Sequence, residues 1–354
     1  MLNHSKKVSV SQIINSSLTR YNELHAIVNE AFVGSSATHL DIYVDINSLT
    51  KSLYNRENEV FIEDYAVVAS CLINLCAHYR DFFNRAPYHV DTTFYLVYCN
   101  NYSDMYTGII KTYNKTMVDY MKNKTIIRDL IMKNVLLLDT LCPYLPDIHF
   151  IYDDEYETAT IMNHLMEINQ NASMVITKDM YTYQLINNPE TIILRPKKSN
   201  GLDKSYYVNS LNVYQILAAE RNNKIFDTGL SSELLSAVYA LSSCVTRNIY
   251  SVYSLRQAVS LLEQSIKGGF MLNQYNADPH TLFYRGLFDM RRDLKISDHD
   301  FIKRFEVIDV PYQTNIYNNY THNEINITNL TDPEAVQAIN NKYFKKVPLD
   351  LNRL

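Results

Sequence analysis

The chain has 354 residues and a mass of 41.2 kDa, enough to bury a sizeable core in one large or two ordinary domains. Its 33 Lys and Arg against 38 Asp and Glu leave a net charge of −5 and a pI near 6.1, which argues against a generally basic nucleic-acid coat and leaves a local basic groove open. Only 7 glycines occur, where average usage would give about 25. The glycine-rich G-x-G-x-x-G and Walker loops are therefore absent, and nucleotide-phosphate cradles are disfavoured.

Cys71, Cys76, Cys99, Cys142 and Cys244 are an odd number, scattered through apolar runs without a zinc spacing. They are expected to be buried free thiols in a reducing compartment. The N-terminus lacks an apolar signal core and no run reaches membrane-spanning length, so cytoplasmic residence and no membrane partner are expected. Trp is absent while Tyr reaches 29, the composition of an AT-rich genome such as many viruses have.

In chain order, Ile13, Ile14, Leu18, Tyr21, Leu24 and Ile27 recur at helical spacing and predict one amphipathic helix within an N-terminal extension, 1–37. Leu40 to Asp45 reads as a strand ending in an acid, and 62–84 as a strong helix. Thr93 to Tyr98 is a second strand, and 103–142 is patterned as helix. Asp153, Asp154, Glu155 and Glu157 read as the acidic start of a helix carrying Ile161, Met162, Leu165 and Ile168 on one face. Met174–Val175–Ile176 reads as a buried strand that places Asp179 just past its end, and Thr191 to Leu194 as a further strand. Strands alternating with helices imply crossovers and a mainly parallel sheet over 38–210. Helices are expected at 211–220, 231–242 and 255–266 within a smaller helical domain, 211–310, followed by an Asn- and Thr-rich tail, 311–354.

Asp45, Glu155, Glu157 and Asp179 sit at strand ends or the adjoining helix start. Ligands of open parallel sheets bind at that edge. Convergent carboxylates there suit a hard cation, Mg²⁺ or Mn²⁺. The alternatives stay open. Asp45 also suits an N-cap of the following helix, and Asp153 and Asp154 suit solvated helix-start charges. Asp41 lies within the strand and can face away from the site. Lys111, Lys115, Lys122 and Lys124, spaced among Tyr113 and Tyr120, suit either a strand-threading surface or a wet helix face. Lys197 and Lys198 follow a strand at the ligand edge, where a phosphate contact is expected as readily as not.

Several of these segments resemble the PIN-like 5′ nucleases, the flap endonuclease and 5′–3′ exonuclease family. Ile42-Tyr43-Val44-Asp45-Ile46-Asn47-Ser48-Leu49 resembles the opening strand of that family, Glu155-Tyr156-Glu157 its acid-x-acid element, and Thr177-Lys178-Asp179-Met180-Tyr181 with Gln184-Leu185 its T-x-D-x-D-x-x-Q-L segment. Ser242 to Val252 is similar to its S-G-D-x-x-D-N-I-P-G-V motif, which opens a helix–three-turn–helix element that grips duplex DNA. The resemblance implies a PIN-like α/β fold and a Mg²⁺- or Mn²⁺-dependent 5′ nuclease. It would act on branched or single-stranded nucleic acid, DNA before RNA, through metal-activated water. Asp45, Glu155, Glu157 and Asp179 would be catalytic and metal-binding, and Arg247 would join the lysines as a nucleic-acid contact. With the composition, it implies a viral, bacteriophage member, resident in the host cytoplasm or on the virion, whose tail would meet other viral proteins.

The departures are specific. Cys99 or Asn100 stands where the family has an Asp, Thr158 replaces a second consecutive acid, Tyr181 the second Asp of D-x-D, and Cys244 and Arg247 both acids of G-D-x-x-D. A reduced single-metal site is expected. The alternative is a catalytically inactive nucleic-acid-binding or virion structural protein.

Overall fold

The structure, a computed structural model, describes residues 8–9, 14–15, 17–32, 37–54, 60–61, 66–85, 87–99, 135, 137–145, 147–153, 158–187, 190–196, 204–221, 228–235, 238–239, 242 and 253–267. In chain order the elements are β1 (Val8–Ser9), α1 (Tyr21–Ala31), β2 (His39–Asp45), α2 (Ile46–Tyr54), β3 (Val60–Phe61), α3 (Ala66–Asn84), β4 (Asp91–Cys99), α4 (Leu137–Leu141) and β5 (Ile148–Asp153). There follow α5 (Thr158–Asn169), β6 (Ala172–Ile176), a 3₁₀ segment (Met180–Asn187), β7 (Thr191–Arg195), β8 (Tyr206–Val208), α6 (Val213–Glu220) and α7 (Leu255–Lys267).

Strand pairing sorts six of the strands into one sheet of order β5-β4-β2-β6-β7-β8, parallel throughout except for β8, which runs antiparallel to β7. This is the mainly parallel α/β architecture expected of the chain. β2 is central because its alternate residues are buried on both faces, as a parallel strand between two helical layers must be. Leu40, Ile42 and Val44 pack with α1, α3 and α4 through Leu24, Leu72, Phe82 and Leu138. Tyr43, with Val97, Val175 and Ile193, packs with α5, α6 and α7 through Ile161, Leu165, Leu217 and Val259. The pleat puts Asp41 and Asp45 on the Tyr43 face.

Topology then fixes where a site belongs. From β2 the chain adds β4 and β5 on one side, then returns to lay β6 on the other side of β2 and β7 beyond it. The carboxyl ends of β2 and β6 therefore flank the point at which strand order reverses, where open α/β sheets bind ligands.

Scarce glycine leaves a mark at the opposite edge. His89, Asp147 and Gln170 hold φ of 50°, 58° and 55°, each just before β4, β5 or β6. Gln170 N–H caps α5 by donating to Met166 C=O at 3.0 Å. Three helix-to-strand turns thus place ordinary side chains in a left-handed conformation that costs each roughly 1 kcal/mol.

Four strands, β1, β3, β5 and β8, are not among those expected. β5 ends at Asp153, where the acidic start of a helix is expected, and α5 begins only at Thr158. β8 was not expected at all. The predicted N-terminal helix is interrupted, with 18–20 outside any helix between a helical turn at 14–15 and α1, and Arg20 extended. Among the described residues no helix is long and apolar enough to cross a membrane. Cys71, Cys76, Cys99 and Cys142 are buried and in no disulfide, and Cys244 lies outside the described residues.

One buried acid makes stability depend on pH. Asp139 in α4 is buried, and burial pushes its carboxyl up to about 8. The folded state thus favours the protonated form. Its stabilisation is full at acid pH and falls as pH rises from the ordinary carboxylate range through about 8. Asp139→Asn should remove most of that fall and stabilise the fold at pH 8 by a few kcal/mol, read by urea denaturation at several pH values. Equal slopes in the two proteins would contradict this.

Candidate functional site

Asp45 ends β2 because the chain leaves the sheet there into α2, and the carboxylate closes that helix start. Ser48 N–H donates to Asp45 Oδ1 at 3.0 Å, so the N-cap reading of Asp45 is met. Thr158, the first residue of α5, donates its hydroxyl to the same oxygen at 3.3 Å. Thr177, one residue past β6, donates to Asp45 Oδ2 at 2.8 Å and lies 3.1 Å from Ser48 Oγ. Asp179 N–H in turn donates to Thr177 Oγ1 at 3.0 Å. The Asp45 carboxylate and the Asp179 backbone thus share one threonine at the switch point.

The electrostatics follow from this packing. Asp45 is 2% exposed, and burial first, then the Asp179 carboxylate, push it above the ordinary carboxylate value against the pull of the Ser48 and Thr177 hydrogen bonds. Two like charges share a site in which the charged form is disfavoured, and a cation relieves that conflict. A carboxylate offers about four acceptor sites. The hydrogen bonds from Ser48, Thr158 and Thr177 occupy three of them. Among the described residues this leaves one site on Oδ2, through which Asp45 can serve a cation by a single oxygen. With Asp179, half-buried, the donor set is two carboxylate oxygens, which fits a Mg²⁺ or Mn²⁺ that keeps several waters and does not fit a closed cage. Among the described residues no group of three or more His, Cys, Asp or Glu is placed to hold a metal ion.

Asn47 finishes the same edge. Asp45 pairs with Val97, so the next pair in register would be 47 with 99, but β2 has already turned into α2. The Asn47 side-chain amide replaces the missing backbone: Nδ2 donates to Cys99 C=O at 2.6 Å and Cys99 N–H donates to Oδ1 at 2.7 Å. Asn47→Ala leaves two backbone groups without these partners and should cost about 1–3 kcal/mol, measured by chemical denaturation. A change within about 0.5 kcal/mol would show that this pairing is incidental.

Of the other predicted site residues, Glu155, Glu157, Lys111, Lys115, Lys122, Lys124, Lys197, Lys198 and Arg247 lie outside the described residues, as do Asp154, Cys244 and the 311–354 tail. Asp153 corrects an expectation. It is not a solvated helix-start charge but the last residue of β5, 1% exposed and paired in register with Cys99. Asp41 is buried away from this edge. It accepts from Asn171 Nδ2 at 3.1 Å and lies 3.2 Å from His39 Nε2.

Two basic residues lie at the same edge. Lys178, between Thr177 and Asp179, is half-buried and donates from Nζ to Ser17 Oγ at 2.6 Å. Burial first, and the Arg195 charge second, pull its amine down to about 8. Arg195 ends β7, and its Nη2 and Nε reach Glu220 Oε1 of α6 at 2.8 and 3.1 Å, with side chains 3% and 1% exposed. Tyr183 and Tyr206 hydroxyls donate to the same oxygen. Basic groups just beyond strands at the ligand edge were a usable signal. Their partners, in Ser17 and Glu220, were not.

No protein-family model matches the chain and no curated protein matches it. Among solved structures, it is similar to the bacteriophage T5 5′-exonuclease with zinc ions bound, at 8% identity and a TM-score of 0.44 over 86% of this chain and 98% of that one. It is similar to the bacteriophage T5 flap endonuclease in a pseudo-enzyme-product complex with DNA and metal ions, at 9% identity and a TM-score of 0.46 over 87% and 98%. Human GEN1 in complex with Holliday junction DNA aligns at 12% identity and a TM-score of 0.38, over 86% of this chain and 72% of that chain.

Proposed function

We propose that the chain is a divergent PIN-like 5′-nuclease homologue acting on branched or single-stranded nucleic acid through a reduced, single-cation site. The observation that carries this reading is that Thr177 bonds both the Asp45 carboxylate and the Asp179 backbone N–H at the strand-order switch, with the Asp179 charge acting on Asp45. Asp45 would lend one oxygen and Asp179 another, with Glu155 and Glu157 as further carboxylates. A bound Mg²⁺ or Mn²⁺ supplies Lewis acidity toward a phosphodiester and a more acidic water.

The chain's own residues do the positioning. Thr177 and Ser48 fix the rotamer of Asp45 so that its remaining acceptor site is held in one place. Asp179 is the more exposed of the two acids and is the one open to substrate. Lys111, Lys115, Lys122, Lys124, Lys197, Lys198 and Arg247 are proposed as phosphate contacts, DNA before RNA.

A second reading is favoured by one observation: among the described residues the start of α5 presents a hydroxyl, Thr158, to Asp45. On that reading the fold binds nucleic acid or serves structurally without cleaving. A labelled 5′-flap DNA incubated with the protein and Mn²⁺ separates the two. Cleavage that disappears in Asp179→Ala supports the nuclease. Salt-dependent binding without cleavage at high protein concentration supports the second reading.

A further inference from the structure

The turn that carries Asp179 is held partly by its own residues and partly from far along the chain. Asp179 N–H donates to Thr177 Oγ1 at 3.0 Å, and Asp179 C=O accepts from Thr182 Oγ1 at 2.6 Å. The next carbonyl, that of Met180, accepts from the Tyr239 hydroxyl at 2.7 Å, a contact across 59 residues. Tyr239 is fully buried on the Tyr43 face of the sheet, in the apolar cluster that also holds Tyr183, Leu217 and Val259. Burial holds its hydroxyl well above the ordinary value, against the pull of the Arg221 guanidinium, so it stays a donor. The ring is itself fixed from the other side. Arg221, just past α6, sets its guanidinium over that ring, Cζ 5.7 Å from the centroid, and donates from Nη1 to Ser242 Oγ at 2.8 Å. Ser242 N–H donates to Val238 C=O at 2.9 Å, and Ser242 bridges to Tyr253 ahead of α7.

We propose, on the reading of Asp45 and Asp179 as a cation site, that Tyr239 is a positioning residue for Asp179: its hydroxyl, through the Met180 carbonyl, holds that acid where it can share a cation with Asp45. Asp45 is held directly, since Ser48 N–H and the Thr177 and Thr158 hydroxyls bond its carboxylate. The bonds from Thr177 and Thr182 to Asp179 lie within three residues of it, and a turn held by its own residues can shift as a body. The Tyr239 hydroxyl ties that turn to the packed region between α6 and α7. The anchored carbonyl belongs to the residue next to Asp179, and a looseness of about 1 Å there is enough to spoil a site for a small, hard cation.

The test is the affinity of the full chain for Mn²⁺ alone, read from electron paramagnetic resonance of the free ion, with thermal unfolding to confirm that each variant is folded at the temperature used. Tyr239→Phe keeps the ring and removes the hydroxyl. It is expected to weaken Mn²⁺ binding roughly tenfold, the lower end of the loss when groups that orient metal ligands are removed. Tyr214→Phe is the control. It removes another buried hydroxyl on the same face, one that donates to Ser231 C=O at 2.9 Å and not to the 177–182 turn. It is expected to lower the thermal midpoint as Tyr239→Phe does and to keep the native Mn²⁺ affinity. Unchanged affinity in Tyr239→Phe, beside clear binding by the native chain, overturns the role of Tyr239 and leaves the cation site standing. Equal weakening in Tyr214→Phe overturns it as well, since general loss of packing then accounts for the effect. No binding by the native chain overturns the cation site and, with it, the role of Tyr239.

Discussion

Glu220→Ala should destabilise the fold by about 3–5 kcal/mol, the cost of stranding a buried charge. Arg195 and Glu220 are almost fully buried, and Glu220 Oε1 is the common acceptor for the Arg195 guanidinium and the hydroxyls of Tyr183 and Tyr206. Burial holds the Tyr183 hydroxyl well above its ordinary value, so it remains a donor that needs this acceptor. Truncation leaves a guanidinium and two phenols facing a void at the junction of β7, β8 and α6. Replacing both charges, Arg195→Met with Glu220→Leu, should recover most of the loss, because a well-packed apolar pair avoids desolvation altogether. Chemical denaturation of the two single variants and the double variant measures this. Single-variant costs below about 1 kcal/mol, the value of an exposed pair, would contradict the burial argument.

The second large effect separates the two acids of the candidate site. On the nuclease reading proposed above, both Asp45→Ala and Asp179→Asn should lower metal-dependent cleavage about a thousandfold or more, since each would remove charge stabilisation worth several kcal/mol at a phosphodiester. Their stabilities should diverge. Asp45→Ala strips the acceptor from Ser48 N–H and from the Thr177 and Thr158 hydroxyls, and should cost about 1–3 kcal/mol. Asp179→Asn keeps the shape of the side chain and removes the like charge that raises Asp45, a change that by itself favours the fold by up to about 1 kcal/mol. The pH dependence gives the sign. Asp45 is raised in the fold, so its contribution to stability falls as pH rises through that raised value, and Asp179→Asn should make the fall smaller. Thermal midpoints that drop equally in both variants would deny Asp45 its role as a hub.

Much of this was readable from the chain, and the gaps have physical causes. β2, β4, β6 and β7 announce themselves as apolar runs rich in Ile, Val, Tyr and Phe, because strands buried on both faces need such residues. β5 has the same character in Ile148, Phe150 and Ile151, but the acids that follow read as a helix start and drew Asp153 into it. β8 is too short to carry a period. At the site, strand-end position placed Asp45 and Asp179 correctly on one edge. What it could not supply was Thr158 and Thr177 on Asp45, 113 and 132 residues away, or Glu220 on Arg195, 25 residues away. Those contacts exist only once the crossovers are made, and they decide how many acceptor sites Asp45 has left.

Mn²⁺ binding to the full chain, followed by electron paramagnetic resonance of the free ion at neutral pH, tests the site most directly. The arrangement predicts saturable binding that weakens by well over an order of magnitude when Asp45 and Asp179 are both changed to Asn. Binding of equal strength in the doubly substituted chain, or none in the native one, would contradict it.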